Sequence, residues 1–248
     1  MNSAIVLAAL TAIATTAGGL IALRSRDRLH LILGLSAGLL LGLVAFDLLP
    51  EVFHATDREI LHVPAVSVAL IAGFLLLHIL EQFAGHHEPV DSDYGHDHNH
   101  AVNIAGALGA LAMAGHVFLD GVALGVAFKV SSALGYAVFA AILVHAFSDG
   151  LNTVSLLVKG GHWSSRARWL LAVDALARIG GASLGSSLVI SESNIALYLA
   201  LFAGMVIYLA TSHILPEAHA RHPSKLTLLA TAAGVGIMWL LVANLGLH

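Results

Sequence analysis

The chain has 248 residues and a formal charge of −4, with 58% hydrophobic and only 10% charged residues. Soluble domains carry about 25% charged residues, so this composition excludes a water-soluble globular protein, and the acidic balance argues against a nucleic-acid partner. Cysteine is absent, which removes disulfides and thiolate metal sites, and 16 histidines outnumber the 11 lysines and arginines.

A helix that crosses a bilayer needs roughly 20 mostly apolar residues. Eight such stretches follow one another at about 3–23, 29–50, 62–84, 101–128, 133–158, 167–190, 195–216 and 226–247. They are rich in Ala, Leu, Val and Gly and lack strand-like alternation, which favours helices over a barrel. The expected fold is an all-α integral membrane protein, with residues 1–248 forming one transmembrane domain. The first stretch lacks a basic n-region and a cleavage signature, so it reads as a retained helix.

In chain order, Arg24, Arg26 and Arg28 follow the first span. Lys159, Arg166 and Arg168 follow the fifth, and Arg221 and Lys225 follow the seventh. The opposite loops hold only Arg58 and Lys129. The positive-inside rule therefore puts the loops after spans 1, 3, 5 and 7 in the cytoplasm and both termini outside.

The second span ends Asp47-Leu48-Leu49-Pro50-Glu51, and the seventh ends His213-Ile214-Leu215-Pro216-Glu217. Similar segments running in opposite directions are what inverted repeats leave behind. On that reading Asp47 and Glu51 mark an outer mouth, and His213, Glu217 and His219 an inner exit. Ordinary helix-end chemistry is the alternative, since proline and acids are common at membrane boundaries.

Between spans 3 and 4, residues 85–100 form a polar loop with His86, His87, His96, His98 and His100 among several carboxylates. It can contact divalent cations weakly, or serve only as a solvated tether. His78 and Glu81 in the third span, like the other scattered histidines, read as structural.

Span 4 contains His116-Val117-Phe118-Leu119-Asp120-Gly121, and span 5 contains His145-Ala146-Phe147-Ser148-Asp149-Gly150. Both read H-x-F-x-D-G. Positions i and i+4 share a helix face, so each span aims an imidazole and a carboxylate the same way. An unpaired Asp at mid-membrane costs roughly 2.5–3.5 kcal/mol even on lenient scales. Two such pairs face to face offer two nitrogen and two oxygen ligands, a set suited to zinc and other first-row divalent ions. A His–Asp hydrogen bond within each helix is the plainer alternative. The glycine after each motif is expected to let the two helices approach. Span 6 adds Asp174 and Arg178, four apart, readable as a buried salt bridge or as a fifth ligand beside a fixed cation.

Taken together these residues resemble the ZIP (Zrt/Irt-like) family of divalent metal transporters over nearly the whole chain. The likeness rests on eight spans with both ends outside, the His-rich loop after the third, and the paired motifs. Segments 34–51 and 203–217, each ending Leu-Pro-Glu, add to it. It implies metal uptake into the cytoplasm through His116, Asp120, His145 and Asp149, with Asp174 near. Family members often hold two metals. Here Val117 and Ala146 stand where the family often has ligands, and Asp174-Ala175 where it often has Glu-Pro. Leu119 and Ser148 replace a frequent proline before the acid. The lost ligands argue against a second full metal position, and Arg178, permanently charged, is expected to substitute for the second cation.

Zinc is the first cargo expected, although mixed N/O ligands also admit iron, manganese, cobalt and cadmium. The metal is substrate, and no organic cofactor is implied. The partners are the ion and the lipid bilayer, in a plasma or bacterial inner membrane. Small-residue spacings such as Gly121/Gly125 admit a homodimer without naming its interface. An intramembrane zinc hydrolase is the rival from another class, but a catalytic zinc keeps three ligands and an open position. A metal sensor or chaperone built on the loop histidines is a third reading.

Overall fold

The computed structural model describes residues 3–22, 29–84, 99–157, 165–189, 191–221 and 225–245. Helix dominates. Among the described residues the helical segments join into eight continuous rods: α1 (Ser3–Ala22), α2 (29–54), α3 (Ala65–Ala84), α4 (Asn99–Val130), α5 (Ser132–Leu157), α6 (Ser165–Ser187), α7 (192–221) and α8 (Lys225–Leu245). A two-stranded antiparallel hairpin, β1 (Glu59–Ile60) and β2 (Val63–Pro64), precedes α3. The third span was expected from residue 62. It starts at Ala65 because the chain first turns through left-handed Leu61 (φ 52°) and His62 (φ 65°), the backbone that a two-residue hairpin loop requires.

Helices α2 and α7 share an irregularity. A π-helical segment interrupts each: Val44–Leu48 in α2, Leu209–Ile214 in α7. The Leu49 amide bonds the Val44 carbonyl and the Leu215 amide bonds the Ala210 carbonyl, both five residues back. A proline follows each wide turn, Pro50 and Pro216. Proline removes an amide donor and its ring crowds the carbonyl four residues back, and a widened turn relieves both effects.

The closest helix pairs are α4 with α6, α1 with α5, α2 with α8, and α3 with α7. Exchanging α1 with α6, α2 with α7, α3 with α8 and α4 with α5 maps this set of pairs onto itself. The pairs gather into two groups, α1/α4/α5/α6 and α2/α3/α7/α8, which meet mainly where α2 lies on α5. Among the described residues, four helices are long and apolar enough to cross a membrane, at His30–His54, Ala65–Gln82, Glu192–His219 and Lys225–Asn244. All four fall in the second group. The first group carries the motif histidines and aspartates.

Polarity is inverted relative to a soluble protein. Ile71, Leu75, Ile79 and Leu80 of α3 and Leu229, Ile237, Trp239 and Leu240 of α8 face outward, whereas Asp47, Asp120, His145, Asp149, Asp174 and Arg178 are buried. In lipid there is no reason to hide apolar side chains, and close backbone approach becomes the main source of helix affinity. Gly73 of α3 lies against the Leu201 carbonyl, and Gly204 of α7 against the Leu70 carbonyl, so each helix seats its glycine on the other's backbone. Gly73→Leu is therefore expected to cost about 1–3 kcal/mol of overpacking. In detergent this reads as a fall of roughly 3–10 °C in the unfolding midpoint. Gly236→Leu, at a glycine with open space around it, should leave the midpoint in place.

Candidate metal centre

The i, i+4 spacing on α4 and α5 brings one donor from each of His116, Asp120, His145 and Asp149 to within 4.8 Å of one another. His145 Nε2 lies 2.9 Å from Asp120 Oδ2, and His116 Nε2 lies 3.6 Å from the same oxygen. His145 Nε2 is 4.0 Å from Asp149 Oδ2. The two imidazole rings stand 5.9 Å apart, tilted by 46°. Neighbouring ligands of a tetrahedral ion held at about 2.1 Å lie about 3.4 Å apart, a spacing these donors bracket. Asp120, His145 and Asp149 are buried, and His116 is partly open, so the cluster has one accessible edge.

The orientation of His145 follows from acceptor chemistry. Its Nδ1 lies 3.0 Å from the Ala141 carbonyl, which can only accept, so Nδ1 carries the hydrogen. Nε2 then points at the carboxylate of Asp120, and either a proton or a metal ion must lie between them. A histidine whose far nitrogen is committed to a carbonyl is held in the tautomer and rotation of a metal ligand.

Arg178 comes from α6. Its Nη2 is 3.4 Å from Asp149 Oδ2 and 3.7 Å from Asp120 Oδ2, with the side chain fully buried. Its ion pairs therefore run to the α4 and α5 aspartates, whereas no pair with Asp174 falls within 4.0 Å. Asp174 is buried, but its oxygens are not among the four converging donors. Gly121 was expected to bring α4 and α5 together. Instead it sits against the Arg178 carbonyl, and Gly125 against Ala182 and Gly185. This small-residue face serves α4–α6 packing inside the chain, and it carries α6 close enough for the guanidinium to reach the aspartates.

The remaining expected residues are dispersed. Asp47 is buried in the π segment of α2, with Oδ2 lacking a hydrogen-bond partner among the described residues, and Glu51 is half-buried one turn on. Among the described residues His213 forms no converging donor group with Glu217 and His219. Its Nε2 lies 2.8 Å from Glu81 Oε2 of α3, whereas His219 Nδ1 donates to the Leu215 carbonyl at 2.8 Å. His86, His87, His96 and His98 lie outside the described residues, as does the side chain of His100.

Three contacts had no signal in the sequence. The Tyr198 hydroxyl of α7 donates to the Leu119 carbonyl at 3.0 Å, tying the second helix group to the turn that carries Asp120. Glu81 meets Tyr208 as well as His213. An aromatic or a single acid in an apolar span announces nothing until its partner helix is placed.

These features define a helical membrane protein with a buried His/Asp centre of metal-ligand type. Residues 84–242 match the family model described as ZIP zinc transporter, more than half of the chain. The chain therefore belongs to the ZIP zinc transporter family. It is 29% identical to zinc transporter ZIP9-A of Xenopus laevis over 78% of this chain and 76% of that protein. The figures are the same for zinc transporter ZIP9 of Micropogonias undulatus. Zinc transporter YKE4 of Saccharomyces cerevisiae is 26% identical over 79% of this chain and 64% of its own length. Family and relatives are transporters and not enzymes, and nothing in them supports the hydrolase reading.

Removing one member of a buried ion pair costs about 3–5 kcal/mol, because the other charge stays buried. Arg178→Met is expected to unfold at a lower temperature than wild type without metal. Added Zn²⁺ should narrow the gap, since the ion replaces the lost positive charge. Thermal unfolding in detergent measures both, and equal midpoints without metal would remove Arg178 as the counter-charge.

Proposed function

We propose that this protein carries a divalent cation, zinc first, across a membrane into the cytoplasm. The observation that carries the reading is the convergence of four donors from two helices inside an apolar bundle. All eight rods cross the bilayer in this scheme, with both termini outside and residues 85–100 in the cytoplasm, and the halves related as inverted repeats. The matched π segments and the exchange symmetry of the helix pairs support that arrangement. The setting is a plasma or bacterial inner membrane.

A hydrated ion gathers at Asp47 and Glu51, whose carboxylates attract it. It then sheds water on entering His116, Asp120, His145 and Asp149, where ionised carboxylates offset part of the dehydration cost. Arg178 occupies the electrostatic place of a second ion, so one metal is held at a time. Without metal its charge balances the two aspartates, and an arriving ion competes with it for their oxygens. Asp174 stands behind the centre as a further carboxylate. Movement of one helix group against the other opens the inner side, and the ion leaves past His213, Glu217 and His219. The His-rich loop can receive it.

His116→Ala with His145→Ala is expected to reduce zinc uptake in proteoliposomes to background, and unchanged uptake would refute the assignment. Purified protein should bind one zinc in this centre. Two ions of comparable affinity there would defeat the role given to Arg178. Ligation needs neutral imidazole and ionised carboxylate, so zinc affinity should weaken as pH falls through the range where histidine protonates. An uptake KM that stays flat or improves on acidification would contradict this ligand set.

A further inference from the structure

The β1–β2 hairpin joins α2 to α3, and its sequence is unusual for a turn. Leu61 and His62 hold the two left-handed loop positions, where glycine and asparagine carry the least strain. Leu61 is also 91% exposed, so no contact within the chain repays that backbone. Ile60 pairs with Val63 and Glu59 with Pro64. Side chains alternate along a strand, so Ile60 and Val63 share one face and Glu59 lies on the other. Ile60 and Val63 are exposed too. The hairpin thus has an apolar tip and one apolar face, with Asp57, Arg58 and Glu59 at its base. That base is fixed. The Ala65 amide donates to the Arg58 carbonyl at 2.7 Å. The Thr56 hydroxyl lies 3.0 Å from that of Ser193, and Arg58 Nη1 donates to Asn194 Oδ1 at 3.5 Å, both at the start of α7.

We infer that this hairpin is a lipid anchor: Ile60, Leu61 and Val63 enter the acyl boundary of the bilayer, and Glu59 faces water. The inference rests on the reading that α2 and α3 both cross the membrane. Leu61 stands four residues before Ala65, the first residue of α3, so it lies at most about 14 Å from that span. A tip on so short a tether stays within reach of the headgroup zone. Exposed apolar side chains also stand on both sides of it in the chain, Phe53 near the end of α2 and Val68 and Ile71 in α3. An amphipathic segment beside a membrane buries its apolar face at that boundary. The base carries two acids and one arginine, which suits zwitterionic lipid and not a cationic grip on anionic headgroups. Three apolar side chains are also far short of the 20–30 residues a side in a usual protein interface, so lipid is the occupant and not a second copy. Because the base is bonded to α7 as well as joined to α2 and α3, the anchor holds three helices of the second group at one depth.

The lack of cysteine makes one introduced thiol a clean reporter. Leu61→Cys, labelled with bimane and placed in phosphatidylcholine vesicles, should lose more than half its emission to a lipid spin-labelled near the top of the acyl chain. Iodide in the water should leave it nearly unchanged. Glu59→Cys should show the reverse, and equal lipid quenching at the two positions overturns the one-sided anchor. Val63→Cys repeats the measurement if Leu61→Cys does not fold. Leu240→Cys, at an exposed position in α8, is the reference for a membrane span. Lipid quenching at 240 with only iodide quenching at 61 overturns the anchor alone. Lipid quenching at neither position overturns the membrane reading with it. A label at 61 that both quenchers miss, and that iodide reaches once each nanodisc holds a single chain, identifies a second copy as the occupant and overturns the lipid anchor.

Discussion

The carboxylate of Asp120 is the constraint around which the rest is arranged. One oxygen faces His116 of its own helix, His145 of α5 and Arg178 of α6. An ionised acid in the middle of an apolar bundle is unfavourable alone, and every positive or proton-bearing group within reach has been brought to it. The buried charge count stays small because Arg178 also serves Asp149. A guanidinium that reaches both aspartates balances their charge without a metal ion.

That centre sets the division of labour among the helices. The polar residues concentrate in α4, α5 and α6, and these helices approach one another through small residues. Gly121 on the backbone of Arg178 is the contact that makes the guanidinium reach possible. The other group, α2, α3, α7 and α8, is apolar enough to stand in lipid by composition alone. Its polar features include Asp47 within a widened turn, Tyr198 on the Leu119 carbonyl, and Glu81 with His213. A frame of uniform apolar helices around a small polar set is what a membrane-spanning ion path requires. Packing holds the frame, and the polar atoms are left to act on the ion.

Much of this was legible in the residues. The apolar runs located the helices because a bilayer imposes a length. The two H-x-F-x-D-G segments located the centre because i, i+4 spacing fixes which side chains share a face. The Leu-Pro-Glu echo marked α2 and α7, although the wide turns before the prolines were not foreseen. Gly121 was assigned to the wrong neighbour, since a glycine shows that something approaches and not which helix it is. Arg178 was placed near the centre, but its pairing with Asp149 and Asp120 in preference to Asp174 depends on how α6 is rotated.

Composition, periodicity and local spacing thus determined that this is a helical membrane protein with an imidazole–carboxylate pair on each of two helices. Those properties depend on single segments and on the solvent around them. Tertiary structure alone decided that the two pairs converge, that Arg178 bridges their aspartates, and that His213 turns from its own helix to Glu81. Each of these joins residues far apart in the chain through the rotation and depth of whole helices. That rotation is set by which small residues interlock across an interface, and a one-dimensional pattern does not record it.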